Sequence, residues 1–385
     1  MSTVTFLLKD DPFGVDAGDT EISRLVMELA AEAHEVRALA LSQGDRDHSL
    51  APVPLRTVPS PPRSLGSALA RNLSPGRSLL HSYFRVPALT EAIREDGSEV
   101  LLAEHTYMAE SALDSGRVRG TGESRGGRAV GDARLLINTH ALQSSVLAKR
   151  RLPLGALARV EAWRTWRDEL RCARAADSAA CLGADDLERL AGARVDGLRR
   201  LDLLLPPATR RAHPERRRAL FFGTRFRWPP NAYALEKLLE LWPRIAAEVV
   251  GAELVIAGRP GARERPVEDP SVKVVGYVDD LEELLLSSSV LLAPVPIGGG
   301  VRVKLLDAAR HGLPVVGSPQ AVGSIGQYLP LTAAADDEEF IARAIELLAS
   351  PQHAGEVGER LYEANRERWQ SGFVHEQIAS WIAGE

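Results

Sequence analysis

Cysteine is nearly missing from this chain: Cys172 and Cys181 are the only 2 in 385 residues. Their spacing fits neither a zinc site nor a disulfide framework, so both are expected as reduced thiols of a cytoplasmic protein. Long apolar runs are missing too. No stretch is apolar for long enough to span a membrane, and no signal-peptide core precedes the first expected strand, Val4 to Leu8. A basic excess is also absent. The net charge is -5, which argues against a nucleic-acid partner, because phosphate backbones select faces rich in lysine and arginine. What remains is the composition of a water-soluble globular chain, 45% hydrophobic and too long for one core, so 2 domains are expected.

The most informative stretch is Gly298-Gly299-Gly300-Val301-Arg302-Val303-Lys304-Leu305-Leu306-Asp307. Its glycines end the apolar run Val290 to Val295, which reads as a buried strand. A helix then opens with Leu305, Leu306 and Ala309 on one face, and His311-Gly312 closes it. Backbone without side chains at a helix start leaves N–H groups aimed outward, where the helix dipole favours an anion. Arg302 and Lys304 add cations there, and Asp307 lies a turn further on. Glycine nest, cations and carboxylate together suit a nucleoside diphosphate whose ribose needs a hydroxyl acceptor.

The segment resembles the donor-binding motif of the retaining nucleotide-sugar glycosyltransferases of family four. The subgroup it is most similar to carries Gly-Gly-Gly-x-Arg-x-Lys, then an acid, then a helix ending in Gly-x-Pro-Val-Val, which here is Gly312 to Val316. Gly299 stands where many members have a first glutamate, and Asp307 replaces the second. Further matches follow the family's order. They are the strand Leu220 to Gly223, Trp228-Pro229-Pro230-Asn231 with Asn231 expected as a helix N-cap, the strand and turn Leu254 to Arg259, and Val274 to Leu281.

The resemblance implies an α/β fold of two Rossmann-like domains facing across a cleft, the GT-B arrangement. Expected boundaries are 1–212 for an acceptor domain, 213–365 for the donor domain, and 366–385 for a helix crossing back. It further implies donor contacts from Gly223, Gly258, Arg259, Tyr277, Val278, Gly298, Gly299, Gly300, Val301 and Asp307. Arg302 and Lys304 would stabilise the diphosphate leaving group, and the backbone of Tyr277 and Val278 would hold the nucleobase.

The N-terminal half opens as a βαβ unit. Val4 to Leu8 and Val36 to Leu41 read as strands, joined through a loop from Asp10 to Asp19 and an amphipathic helix carrying Ile22, Leu25, Val26 and Leu29. Gly18-Asp19-Thr20-Glu21 partly resembles the family's acceptor-facing Gly-Gly-x-Glu motif. Asp19 in place of the second glycine either narrows the cleft or caps the helix, and Gly14 serves the preceding turn. The runs Val100 to Ala103 and Leu135 to Thr139 end at Glu104-His105 and His140. Histidines after two strands suit a site at the mouth of an open α/β sheet. The resemblance implies that His140 contacts the donor sugar and that Gly18, Asp19, Glu104 and His105 line the acceptor side.

Stretches 59–78 and 115–132 read as long loops, either substrate lids or plain insertions. Asp185-Asp186 and Asp279-Asp280 read as acidic helix starts, so no metal and no cofactor is expected beyond the sugar nucleotide as co-substrate. Arg210, Arg211, Arg216, Arg217 and Arg218 crowd the expected linker. No apolar helix accompanies them, so membrane contact is not expected. The partners implied are a nucleotide-sugar donor and a small-molecule or glycan acceptor, with the oligomeric state open. A sugar-nucleotide epimerase of the same fold is the alternative enzyme, and an inactive transferase-like partner subunit the alternative without chemistry.

Overall fold

The computed structural model describes residues 1–13, 18–44, 51–60, 76–118, 132–149, 155–209, 216–226, 228–259, 268–278, 280–297 and 299–385. Gly14, Gly298, Asp279, Arg210, Arg211 and most of the loops 59–78 and 115–132 lie outside these residues. The chain divides into two compact units, Met1–Leu201 with His375–Glu385, and Asp202–Val374. The boundaries expected from sequence are 212/213 and 365/366. Residues 202–209 go with the C-terminal unit because its side chains hold their carbonyls: Asn365 Nδ2 donates to Leu205 O at 3.1 Å, and Tyr328 Oη to Leu203 O at 3.2 Å.

The first unit is a seven-stranded parallel sheet in the order β3-β2-β1-β4-β5-β6-β7. Its strands are β1 (Thr3–Leu8), β2 (Glu35–Ser42), β3 (Leu55–Pro59), β4 (Val100–Glu104), β5 (Arg134–Thr139), β6 (Ser178–Cys181) and β7 (Leu198–Arg200). Central strands of such a sheet are covered on both faces, which explains why Leu101, Leu102, Leu135 and Ile137 come as continuous apolar runs and are fully buried. The helix Gly18–Ala31 buries Ile22, Leu25, Val26 and Leu29, the stripe expected from sequence. The helix Phe373–Ala383 ends on this unit, where Trp381 is buried and its Nε1 donates to Ser178 Oγ at 3.0 Å.

The second unit is a five-stranded parallel sheet, β10-β9-β8-β11-β12, built from β8 (Arg218–Arg225), β9 (Glu253–Arg259), β10 (Val272–Gly276), β11 (Val290–Ala293) and β12 (Val315–Gly317). In both units the chain runs outward from a first strand, then returns to that strand's other side. The reversal falls between β1 and β4 in one sheet, and between β8 and β11 in the other. Loops leaving adjacent strand ends in opposite directions open a crevice there, which is where such sheets bind ligands.

Helix ends follow local chemistry. The helix Val303–His311 stops at Gly312, whose φ of 69° is left-handed. The helix Pro229–Glu248 begins two residues before the expected Asn231 cap, with Trp228 in the cap position. Pro229 explains the shift, because proline lacks the N–H that a first-turn residue leaves without an intrahelical partner, and its φ is already helical. Asn231 is thereby left inside the first turn, free to do something else.

Gly223 and Gly258 are close-packing positions. A Cβ on Gly258, whose φ is +150°, would lie 2.0 Å from Gly223 O and 2.9 Å from the Phe226 ring. Gly258→Ala is therefore expected to destabilise the fold by about 1–3 kcal/mol, read as a lower melting temperature. An unchanged melting curve would mean that β8 and β9 tolerate separation at this point.

Candidate active site

The N-terminal unit gathers its titratable groups at the β1/β4 reversal. Lys9 follows β1 directly, and its Nζ lies 2.8 Å from Asp19 Oδ2 and 2.9 Å from Asp10 Oδ2. Burial alone would raise the Asp19 pKa, but the Lys9 ammonium and the nearby His105 outweigh it and hold this carboxyl below the usual range. Asp19 sits in the first helical turn just after Gly18, and its Oδ1 accepts from the adjacent Thr20 N at 3.1 Å. Its other oxygen faces Lys9 and, at 3.9 Å, His105 Nε2. Neither sequence reading of Asp19, narrowing the cleft or capping the helix, names this pairing with Lys9.

Glu104 ends β4 and points into the unit, where it is buried. It accepts from Ser23 Oγ at 2.9 Å, from Asn138 Nδ2 at 3.1 Å, and from His140 Nε2. A carboxylate can only accept, so it is Nε2 of the His140 ring that faces Glu104 as a donor. The Glu104 oxygens are thus occupied by neighbours, and the residue orients His140.

His105 is strained and buried. Its φ of 86° is unusual for a side chain of this size, and such strain collects at functional sites. The ring stacks on Tyr107, at 4.9 Å, and lies tilted against His140, at 4.2 Å between centroids. Neither ring nitrogen has a hydrogen-bond partner among the described residues. Burial, with His140 and Lys9 nearby, pushes its pKa well below the ordinary imidazole value, so His105 is a neutral dipole. A neutral ring with open donor and acceptor positions can hold a hydroxyl.

The C-terminal unit places Lys304 and Arg302 at the β8/β11 reversal. Lys304, in the first turn of the helix Val303–His311, reaches the end of β8 and donates to Phe222 O at 2.7 Å. Asn231 Oδ1 accepts from the same ammonium at 3.4 Å, and the Phe221 ring centroid lies 4.9 Å from it. Asn231 itself covers Gly223, where a Cβ would meet its Nδ2 at 2.8 Å. Burial, with Arg302 adding like charge, pulls the Lys304 pKa down to about 7. Among the described residues no carboxylate pairs with it.

Arg302 occupies the cap position of the same helix, preceded by Val301 and by Gly300 with φ 71°. Gly299 adjoins them, and Asp307 lies a turn beyond Lys304 along the helix. The Arg259 guanidinium stacks 4.3 Å over the Tyr277 ring, which joins the ends of β9 and β10, and Val278 follows. The structure thus brings Gly223, Gly258, Gly299, Gly300, Arg302, Lys304 and Asn231 to one end of one sheet. Of the donor-side residues expected from sequence, Gly223 and Gly258 face protein atoms.

Sequence reasoning missed Lys9, Ser23 and Asn138, and gave Asn231 another role. Lys9 and Asn138 lie in apolar strand surroundings, so a polar residue at a strand end was the available signal. Asp280 Oδ1 accepts from Glu282 N at 2.8 Å, at the start of its own helix, whereas Asp186 Oδ2 accepts from Leu142 N, outside its own helix, at 3.2 Å. His81, Glu110 and Cys172 lie close enough to hold an ion. However, Glu110 is already engaged by His81, Arg77 and Arg171, and burial pushes the Cys172 thiol pKa well up, chemistry that disfavours a cation.

Residues 216–350 match the model of the family described as Glycosyl transferases group 1. No curated protein matches the sequence. Among solved structures the chain is similar to HepE of Anabaena in complex with UDP and glucose, with a TM-score of 0.69 at 10% identity over 100% of both chains. It is similar to TarM, with a TM-score of 0.69 at 7% identity over 99% of both chains. WaaG, a glycosyltransferase involved in lipopolysaccharide biosynthesis, gives 0.59 at 14% identity over 100% of both. At such identities the likeness establishes the fold, which is GT-B. Residues 216–350 thus resemble a group 1 glycosyl transferase domain, within a chain of GT-B fold.

Proposed function

We propose that the protein transfers a sugar from a nucleoside-diphosphate sugar to an acceptor hydroxyl with retention of anomeric configuration. The observation that carries this reading is the Lys304 ammonium, held at the β8/β11 reversal with no carboxylate partner among the described residues. An anion is the natural complement of such a group. The start of the helix Val303–His311, with its outward N–H groups and Arg302, supplies the rest of a diphosphate site. As the glycosidic bond breaks, charge grows on the leaving diphosphate, and these donors stabilise it electrostatically. In the retaining reaction that diphosphate also receives the acceptor proton, so no separate strong base is required. His140, oriented by Glu104, and the neutral His105 are assigned to sugar or acceptor hydroxyls. Uridine is the first base to test, because HepE was solved with UDP and UDP-glucose.

A thermal-shift screen over nucleotides and nucleotide sugars, followed by turnover with the best binder, tests the proposal. A product whose anomeric carbon keeps the donor's configuration by NMR supports it. Nucleotide binding without turnover across an acceptor panel would favour the inactive-partner reading.

The ribose is assigned to Asp307. Asp307→Asn keeps shape and removes charge, so nucleotide binding is expected to weaken by about 1.5 kcal/mol, the lower end for hydrogen bonds to charged groups. Calorimetry with the nucleotide and with inorganic pyrophosphate checks it. Equal losses for both ligands would show that Asp307 acts on phosphate and not on ribose.

A further inference from the structure

The helix Gly155–Ala175 leaves an unusual face outside. Leu157, Val160 and Trp163 are 64%, 54% and 59% exposed, and they are the N-terminal part of one stripe. Arg167 continues it, with its guanidinium 5.3 Å over the Trp163 ring, and exposed Arg159 and Arg174 flank it. The acids of this helix turn the other way. Glu161 accepts from Leu79 N at 2.5 Å, Asp168 from Ser78 N at 2.7 Å, and Glu169 from Gln143 N at 2.6 Å. Asp168 and Glu169 are fully sequestered. Every charge on the outer face is therefore positive, beside three adjacent large apolar side chains.

We infer that this face docks the protein on an anionic lipid bilayer. An isolated exposed Leu needs no explanation, but a contiguous Leu, Val and Trp group rimmed by arginine does. Trp favours the headgroup boundary, where its ring is half apolar and its N–H is wet. Arginines without competing carboxylates complement phosphatidylserine or phosphatidylglycerol, and a helix of this kind lies in the interface plane with its apolar stripe buried. A second protein chain is the less suitable occupant, because a face of uniform positive sign repels its own copy. The inference stands whether or not the sugar-transfer proposal holds, because it concerns a separate surface.

Co-sedimentation of the full chain with vesicles tests it, comparing phosphatidylcholine alone with equal parts phosphatidylcholine and phosphatidylserine. The protein is expected to pellet with the anionic vesicles and to be released by salt. Arg159→Glu/Arg167→Glu and, separately, Leu157→Ser/Trp163→Ser are each expected to cut vesicle affinity about tenfold or more, with circular dichroism and melting unchanged. All four side chains are exposed, so folding should tolerate both variants. Pelleting by both variants as strong as by the unaltered chain overturns the inference, as does failure of the unaltered chain to pellet. Light scattering that shows a dimer lost in Leu157→Ser/Trp163→Ser overturns it too, and assigns the face to a second copy.

Discussion

Replacing His140 by alanine is expected to lower turnover about a hundredfold while leaving nucleotide affinity nearly intact. The size is that of losing one preorganised polar group in a transition state. The affinity should hold because the cationic groups assigned to the diphosphate belong to the other sheet. His140 is buried beside Glu104 and His105, so removal also risks the packing of the cluster. Measuring melting and turnover on one sample distinguishes the two effects. A slow enzyme with an unchanged melting temperature has lost chemistry, whereas a proportional fall in both has lost structure. Glu104→Gln sharpens the comparison, since it keeps shape but gives His140 a weaker acceptor. Its rate should fall less than that of His140→Ala. A fully folded, fully active His140→Ala protein would remove His140 from the reaction and leave His105 as the next residue to replace.

Lys304→Ala is expected to weaken nucleotide-diphosphate binding by about 1.5–3 kcal/mol, and Arg302→Ala by a similar amount. The Lys304 effect has a pH signature. Its folded-state pKa, near 7, lies below the model-peptide value of 10.5. Between those values the unfolded chain binds a proton that the free folded protein lacks, so the stability of the ligand-free protein rises with pH across this window and is flat below it. A bound diphosphate restores the positive form. Calorimetry in buffers of different ionisation enthalpy at about pH 8.5 should then show uptake approaching one proton per nucleotide. Affinity should fall as pH rises above 7. Lys304→Ala should abolish the uptake, whereas Arg302→Ala should retain it because arginine stays charged. Unchanged affinity in both variants, or proton uptake that persists in Lys304→Ala, would place the diphosphate elsewhere.

The sequence by itself determined the elements whose signal is local. Continuous apolar runs gave the buried parallel strands, the 3.6-residue stripe gave the helix Gly18–Ala31, and Gly312 gave the end of the helix after β11. It also determined which residue types collect at strand ends, because Glu104, His105, His140 and the glycine-rich motif each follow an apolar run directly. The tertiary structure alone decided what those residues touch. Lys304 meets Phe222 O only because β8 and β11 are neighbours in the sheet, though far apart in the chain. Asn231 looked like a helix cap, and it became a Lys304 partner once Pro229 moved the helix start. Gly258 needs its missing side chain because the Gly223 carbonyl crosses it from an adjacent strand. Glu104 and Asp19 are both acids beside the N-terminal reversal, yet one is enclosed by donors that orient His140 and the other faces Lys9 and His105. Local periodicity fixes where a chain turns and which face it buries. Partners distant in sequence are chosen by strand order, which periodicity does not encode.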